Sequence, residues 1–266
     1  MPRVRRSEAD QQLVDQHGKD FLEVLARGLR ILGLFNAERR QLTLSELSEI
    51  AGLPRATVRR VLYTLEKLGH VEVEGRQFRL TPRVLTLAGA YLTSNPIPAV
   101  MQPVVTRISR ELQEACSAAV LDGPDAVMVA RASPVRIITV GLELGFRLPA
   151  FCSAVGRVLL AGLADGELDR FLAVLAPAAF TPHTMLDKGA IRERILAARA
   201  DGFALVEQEI EHGFSSIAVA VQGRDGTTAC ALHIGLPAQR ATPEQMIEAF
   251  LPLLRREAAE AGALLL

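Results

Sequence analysis

A chain of 266 residues with 49% hydrophobic and 23% charged residues has room for one large or two modest folded domains, and it is too apolar to be disordered throughout. No apolar stretch reaches the roughly 18 residues of a membrane helix, no signal-type segment follows the polar start MPRVRRSEAD, and Cys116, Cys152 and Cys230 lie too far apart for a disulfide framework or zinc ribbon, so the cytoplasm is the expected compartment. A net charge of zero hides an asymmetry: residues 1–92 hold 15 Lys and Arg against 11 Asp and Glu, the remainder 15 against 19, which fits a DNA-binding unit joined to a unit with another task.

Residues 1–20 read as a polar arm, and a winged helix-turn-helix is expected over 21–81. Phe21, Leu22, Leu25, Leu29, Leu32 and Phe35 fall on one helical stripe. Thr43 or Ser45 can cap the start of a second helix, and Thr43, followed three residues later by Glu46, has the spacing of a capping box. Gly52 supplies the tight turn, and Pro54 suits the first turn of a third helix running to Leu68. Its expected buried stripe is Val58, Val61, Leu62, Leu65 and Leu68. Arg55, Thr57, Arg59 and Arg60 stand at its N-terminal end or on outward turns, where a recognition helix meets the major groove. VEVEGRQFRL alternates with period two about Gly75 and reads as a hairpin, hence a wing, with Arg76 and Arg79 in reach of the backbone or minor groove. Arginine serves base edges and phosphates alike, and the sequence leaves both uses open.

A linker helix is expected over 82–96, capped by Thr81 and bearing Leu85, Leu87, Tyr91 and Leu92. Residues 97–266 then alternate helices with apolar strands, including SAAVLD, AVMVARA, RIITVGLEL, GFALVEQEI, SSIAVAVQ and TTACALHIG. This pattern predicts an α+β domain of helices flanking an antiparallel sheet. It has no dinucleotide or phosphate-loop glycine fingerprint, no nucleophile elbow and no metal-ligand spacing, so neither catalytic residues, nor a metal, nor a cofactor is expected. His183, His212 and His233 are too far apart to indicate a metal site.

The segments ARGLRILGLF, LSELSEIAGLPRATVRRVLYTLEKLGHV, FRLTPRVLTLAGAYL, VGLELGFRLPAFCSAVGRVLLAGL and GFALVEQEIEHGFSSIAVAV, in this order and spacing, resemble the IclR family of bacterial regulators, nearest the branch that controls aromatic acid catabolism through the β-ketoadipate pathway. The resemblance implies a homodimer or tetramer, a winged helix reading a palindromic operator in double-stranded DNA through PRATVRR, and a GAF-like effector domain with a ligand cup around AFCSAVGR and FSSIAVAV. Phe214-Ser215 stands where the family commonly has Leu-Arg, and Ala220 where it commonly has proline.

The residues themselves suggest how such a cup would hold a small aromatic or dicarboxylic acid. Ser153 starts a helix containing Gly156 and Arg157, whose free amides suit a carboxylate. Phe146, Phe151 and Phe214 offer an aromatic wall, Arg136, Arg147 and Arg157 a counter-charge, and Ser215, Ser216 and His233 orienting groups. A local cap, core phenylalanines and surface arginines remain the plain alternative. A small-molecule enzyme with an accessory winged helix, and a protein-interaction module, remain the alternative functions.

Overall fold

The computed structural model describes residue 18 and residues 20–36, 38–134 and 143–265. These fall into two compact units divided between Tyr91 and Leu92.

In the first unit, α1 (Glu23–Leu32) precedes the short strand β1 (Leu42–Thr43), α2 (Leu44–Ala51), α3 (Arg55–Lys67) and the hairpin β2 (Val71–Glu74) and β3 (Gln77–Leu80). The Thr43 hydroxyl accepts from the Glu46 amide while the Glu46 carboxylate accepts from the Thr43 amide, so the capping box is complete. Gly52 sits at φ 62° between α2 and α3, and Gly75 at φ 62° in the wing turn, the left-handed region that glycine enters without steric cost. Both α2 and α3 pack on a core of Leu47, Val58, Val61, Leu62, Leu65 and Val71, while Leu68, expected on the same stripe, is the exposed C-cap of α3, past its last helical turn. The stripe expected on α1 is split. Ile31, with Leu32 and Phe35, packs into this core, whereas Leu22, Leu25 and Leu29 lie on the solvent side. A domain this thin covers only one flank of the helix.

The wing leads through a 3-10 turn (Pro82–Val84), capped by Thr81, into α4 (Leu85–Ser94), which buries none of its side chains. The unit boundary falls inside α4.

The second unit follows as α5 (Pro96–Leu112), β4 (Ala115–Asp122), β5 (Asp125–Ala132), β6 (Arg147–Pro149), α6 (Ala154–Ala161), α7 (Asp165–Val174), α8 (Lys188–Asp201), β7 (Phe203–Glu207), β8 (Phe214–Gln222), β9 (Thr228–Pro237) and α9 (Pro243–Gly262). Its six strands form one antiparallel sheet in the order β6-β5-β4-β9-β8-β7. One face packs on α5 and α9, the other on α6, α7 and α8, each through its own apolar cluster. This is the expected α+β class. The strand expected over 136–144 lies outside the described residues as far as 142, as does Arg136. Glu143 and Leu144 form a turn, closed by the Phe146 amide on the Glu143 carbonyl at 3.0 Å.

One irregularity matters for the site. Ala118 pairs with Ala130, but Ala119 pairs with Met128, so Val129 is an extra residue bulged out of β5. Before the bulge Ala126 and Met128 face α6. After it Ala130 and Ala132 face α5 and α9. The bulge thus turns Arg131 to the α6 face, where strict alternation would have sent it to the other side.

Among the described residues, no helix is long and apolar enough to cross a membrane, and no three His, Cys, Asp or Glu side chains group to hold a metal.

Candidate functional site

Two separate places carry recognition chemistry. The first is the outer face of α3. Val58, Val61, Leu62 and Leu65 are buried beneath it, which leaves Arg55, Arg59 and Arg60 exposed and Thr57 half-buried beside them. The first turn holds no acidic residue. Arg76 is exposed at the wing turn. None of these four arginines pairs with a carboxylate among the described residues. Arg79 differs: its guanidinium lies 2.7 Å from Glu72 and 3.6 Å from Glu74, so the wing neutralises it from within.

The second is a cavity of about 420 Å³ on the α6 face of the sheet, within the range of small-molecule sites. Its apolar wall comes from Phe146, Leu148, Val206, Ile210 and Phe214. Ser153, Ser216 and His233 also line it. Ser153 caps α6, its hydroxyl accepting from the Gly156 amide (3.1 Å) and donating to the Pro149 carbonyl (2.9 Å). The local-cap role is therefore present, and it consumes the hydroxyl proton.

The other expected residues lie elsewhere. Arg147 is held across the β4–β5 turn by Asp122 (2.7 Å) and Asp125 (3.0 Å). Arg157 is buried, with its guanidinium 2.7 Å and 2.8 Å from the two oxygens of Glu209 and its Nε bonded to the Phe151 carbonyl at 3.0 Å. It already has its counter-ion. Phe151 belongs to the core against α6 and meets Phe180, ring centroids 6.5 Å apart. Gly156 permits close packing, since a Cβ there would stand 2.2 Å from the Ala150 Cα. Ser215 lies on the strand face shared with Ile217 and Val219, away from the cavity.

In place of Arg147 and Arg157 the cavity presents Arg131, half-buried, with Nη1 3.4 Å from the Ser117 hydroxyl. Burial pulls its pKa below the ordinary arginine value, which Glu143 only partly offsets. Ser117 is paired with Arg131 on one side and with His233 on the other, so the three stand in a row across β5, β4 and β9. His233 is 2% exposed, and its Nδ1 is sealed from solvent with no hydrogen-bond partner. Burial, then the Arg131 charge, push its pKa down to about 4, so the ring is neutral at pH 7. Gly235 completes the floor: a Cβ there would lie 2.4 Å from Phe214 Cζ and 3.2 Å from His233 Nε2. Cys152 adds a neutral wall, because burial raises its thiol to about 12. Arg131 was legible only as an out-of-place charge in AVMVARA, and a bulge is not visible in periodicity.

Family models match both units. A model of the IclR helix-turn-helix domain covers residues 24–75, and one of the bacterial transcriptional regulator IclR C-terminal domain covers residues 89–262. The chain belongs to the IclR family. It is 41% identical over 236 residues to the Pca regulon regulatory protein of Pseudomonas putida (88% of this chain, 81% of the relative). It is 34% identical over 248 residues to the p-hydroxybenzoate hydroxylase transcriptional activator of Acinetobacter baylyi (91% of each). A crystal structure of an IclR homolog from Microbacterium hydrocarbonoxydans complexed with 4-hydroxybenzoate superposes with a TM-score of 0.74 at 26% identity, covering 90% of this chain and 97% of that one. The IclR-family protein is accordingly a DNA-binding transcriptional regulator related to regulators of aromatic acid catabolism, and the enzyme and interaction-module alternatives fall away.

The ion pair beneath the cavity makes a testable demand on this IclR-family domain. Arg157→Met leaves the Glu209 carboxylate buried without its cation, and denaturant unfolding should show a loss on the order of 3–5 kcal/mol. A loss under about 1 kcal/mol would show that Glu209 finds solvent or another partner.

Proposed function

We propose that this regulator reads a two-fold operator through Arg55, Thr57, Arg59 and Arg60 of α3 and Arg76 of the wing, and that a small aromatic or dicarboxylic acid in the cavity sets its operator affinity. Arg79 belongs to the same surface, but Glu72 and Glu74 compete with phosphate for it. The observation that carries the effector reading is the half-buried Arg131, whose guanidinium stands against the Ser117 hydroxyl in a largely apolar cavity. Such a cation favours an anion, and the aromatic and aliphatic walls favour a ring or carbon chain behind it. The 4-hydroxybenzoate bound by the related Microbacterium protein supports the same class. Acid binding would favour one of two domain arrangements that differ in affinity for DNA. The genes controlled, on this reading, are those of aromatic acid catabolism.

The domain partition we adopt is an arm over 1–20, the winged helix-turn-helix over 21–81, the linker helix over 82–96 and the effector domain over 97–266. A two-fold operator calls for two copies with recognition helices about 34 Å apart. The face of α4 bearing Leu85, Leu87 and Tyr91, together with Leu22, Leu25 and Leu29 of α1, is exposed in the single chain and is our proposed dimer contact, a tetramer being two such dimers. Burying this much aliphatic surface is favourable at about 25 cal/mol per Å².

Three outcomes are expected. Arg59→Ala and Arg60→Ala should each weaken operator binding by tenfold or more at fixed salt, with helicity by circular dichroism unchanged. Each should also lower the salt slope by about 1 where the lost contact is to phosphate. Wild-type affinity in both folded variants would remove α3 from the interface. In calorimetry, Arg131→Gln should bind 4-hydroxybenzoate at least tenfold less tightly than the parent. Equal affinity would place the acid elsewhere. Sedimentation should give a dimer or tetramer, and Leu85→Glu with Leu87→Glu should shift it toward monomer. A parent that is monomeric with and without DNA contradicts the assembly.

A further inference from the structure

The acid reading leaves open how many acid groups the cavity accepts, and the charges along its wall bear on this. Among the described residues that line it there are one arginine, no lysine and two histidines, the exposed His212 and the buried His233, against three glutamates, Glu114, Glu209 and Glu211. Two of the glutamates have partners: Glu209 bonds Arg157 and the Met185 amide at 3.1 Å, and Glu114 lies 2.9 Å from Arg240. Each pair is neutral as a unit and has no positive charge left for a ligand. Glu211 is exposed at the rim. Among the described residues of these walls, Arg131 is the one arginine or lysine, and no ion pair holds it.

Beside that arginine stands a group with unused hydrogen-bonding capacity. No hydrogen bond to a His233 ring nitrogen is found among the described residues, and Nδ1 is shut away from both solvent and acceptors. An N–H at Nδ1 would be an unsatisfied buried donor, so the proton belongs on Nε2. Nε2 lies on the cavity side, beside Gly235, against which the Phe214 ring packs closely. Arg131 leans toward it, with its guanidinium reaching the Ser117 hydroxyl on the strand between them. Adjacent strands are about 4.8 Å apart, so a long Arg131 side chain directed across β4 extends toward the His233 ring, and both line the cavity.

We propose that the cavity selects a monocarboxylate, with Arg131 and the Nε2–H of His233 together forming its single carboxylate seat, and that it rejects a second acid group on the same ligand. This rests on the acid-binding reading above and narrows it. One carboxylate oxygen takes the charged bond from Arg131 and the other the neutral bond from His233. The rest of the ligand lies along Phe146, Leu148 and Phe214. Among the described residues, a second carboxylate would meet apolar side chains, carboxylates that already hold their counter-ions, and Glu211 beside His212 at the exposed rim. It would lose its hydration without gaining a cation.

The test is calorimetry on the full chain with benzoate, 4-hydroxybenzoate, terephthalate and adipate. Terephthalate has a carboxylate in the position of the 4-hydroxyl. The two monoacids should bind at least tenfold tighter than either diacid. In His233→Leu both monoacids should weaken at least tenfold and by similar factors, because the lost bond is to the group they share. His233→Gln, which retains a side-chain N–H donor, should stay within about threefold of the parent. A diacid that binds as tightly as benzoate overturns charge selection while leaving the acid reading intact. Unchanged benzoate affinity in a His233→Leu protein with cooperative melting overturns the shared seat. If that variant does not fold, His233→Gln and the parent's monoacid-to-diacid ratio decide: a ratio near one overturns the proposal. Binding of none of the four acids by the folded parent rejects the acid reading and this inference together.

Discussion

The buried pair of Arg157 and Glu209 fixes what the effector domain can be. Arg157 rises from α6 through the core, and Glu209 sits just beyond the end of β7. Their contact joins the helix to the 208–213 segment that walls the cavity. The Thr184 hydroxyl on the Glu209 carbonyl (2.6 Å) and the Met185 amide on its carboxylate bring a third segment to the same point. A charge pair out of water is held by geometry and by the hydrogen bonds that occupy its remaining lone pairs, rather than by raw Coulomb attraction. Here those bonds come from backbone as well as side chain. The wall is consequently built before a ligand arrives, and α6 and the 208–213 segment cannot move apart without exposing an unpaired charge to the core.

The same pair decides which arginine is available. By sequence, Arg147 and Arg157 flank AFCSAVGR and look like the natural counter-charges for an acid. The fold gives each of them aspartate or glutamate partners, 22 to 52 residues away in sequence. Arg131 makes no ion pair among the described residues, Glu143 acting on it only from a longer distance, and is brought onto the cavity face by one inserted residue in β5. Periodicity describes an ideal strand and cannot register that insertion, so the side of the sheet on which Arg131 emerges is a tertiary fact. Ser215 and Ser216 show the complementary case. Adjacent residues on a strand must face opposite ways, so one of them had to leave the site, and the pairing of β8 with β9 determines which.

The winged domain was far more legible because its determinants are local. A capping box spans four residues, a positive-φ glycine one, and a hairpin about ten, and each is present where its signature stands. The exception is α1. Its apolar stripe is a true property of the sequence, yet a helical period says that a face is apolar without saying what covers it. Ile31 is covered by the domain core, while Leu22, Leu25 and Leu29 are left open. The features that escaped the sequence in both domains share one cause: they depend on a partner distant in the chain, or on a partner outside it.

The charge distribution links the two domains in a way their composition alone does not. The N-terminal portion has only a small cationic excess, too little to bind DNA strongly by bulk attraction. Wing acids Glu72 and Glu74 spend part of it on Arg79. Among the described residues, Arg55, Arg59 and Arg60 on α3 and Arg76 at the wing turn are exposed without a carboxylate partner, so the proposed contacts with the duplex require those elements to be presented together. A domain with a large diffuse charge would hold DNA in many orientations. One whose few free cations sit on a single helix face gains most of its phosphate contacts only in the correct pose. On the proposed dimeric reading, an acid in the 420 Å³ cavity that changed how two copies are spaced would act on much of the electrostatic attraction to the operator at once.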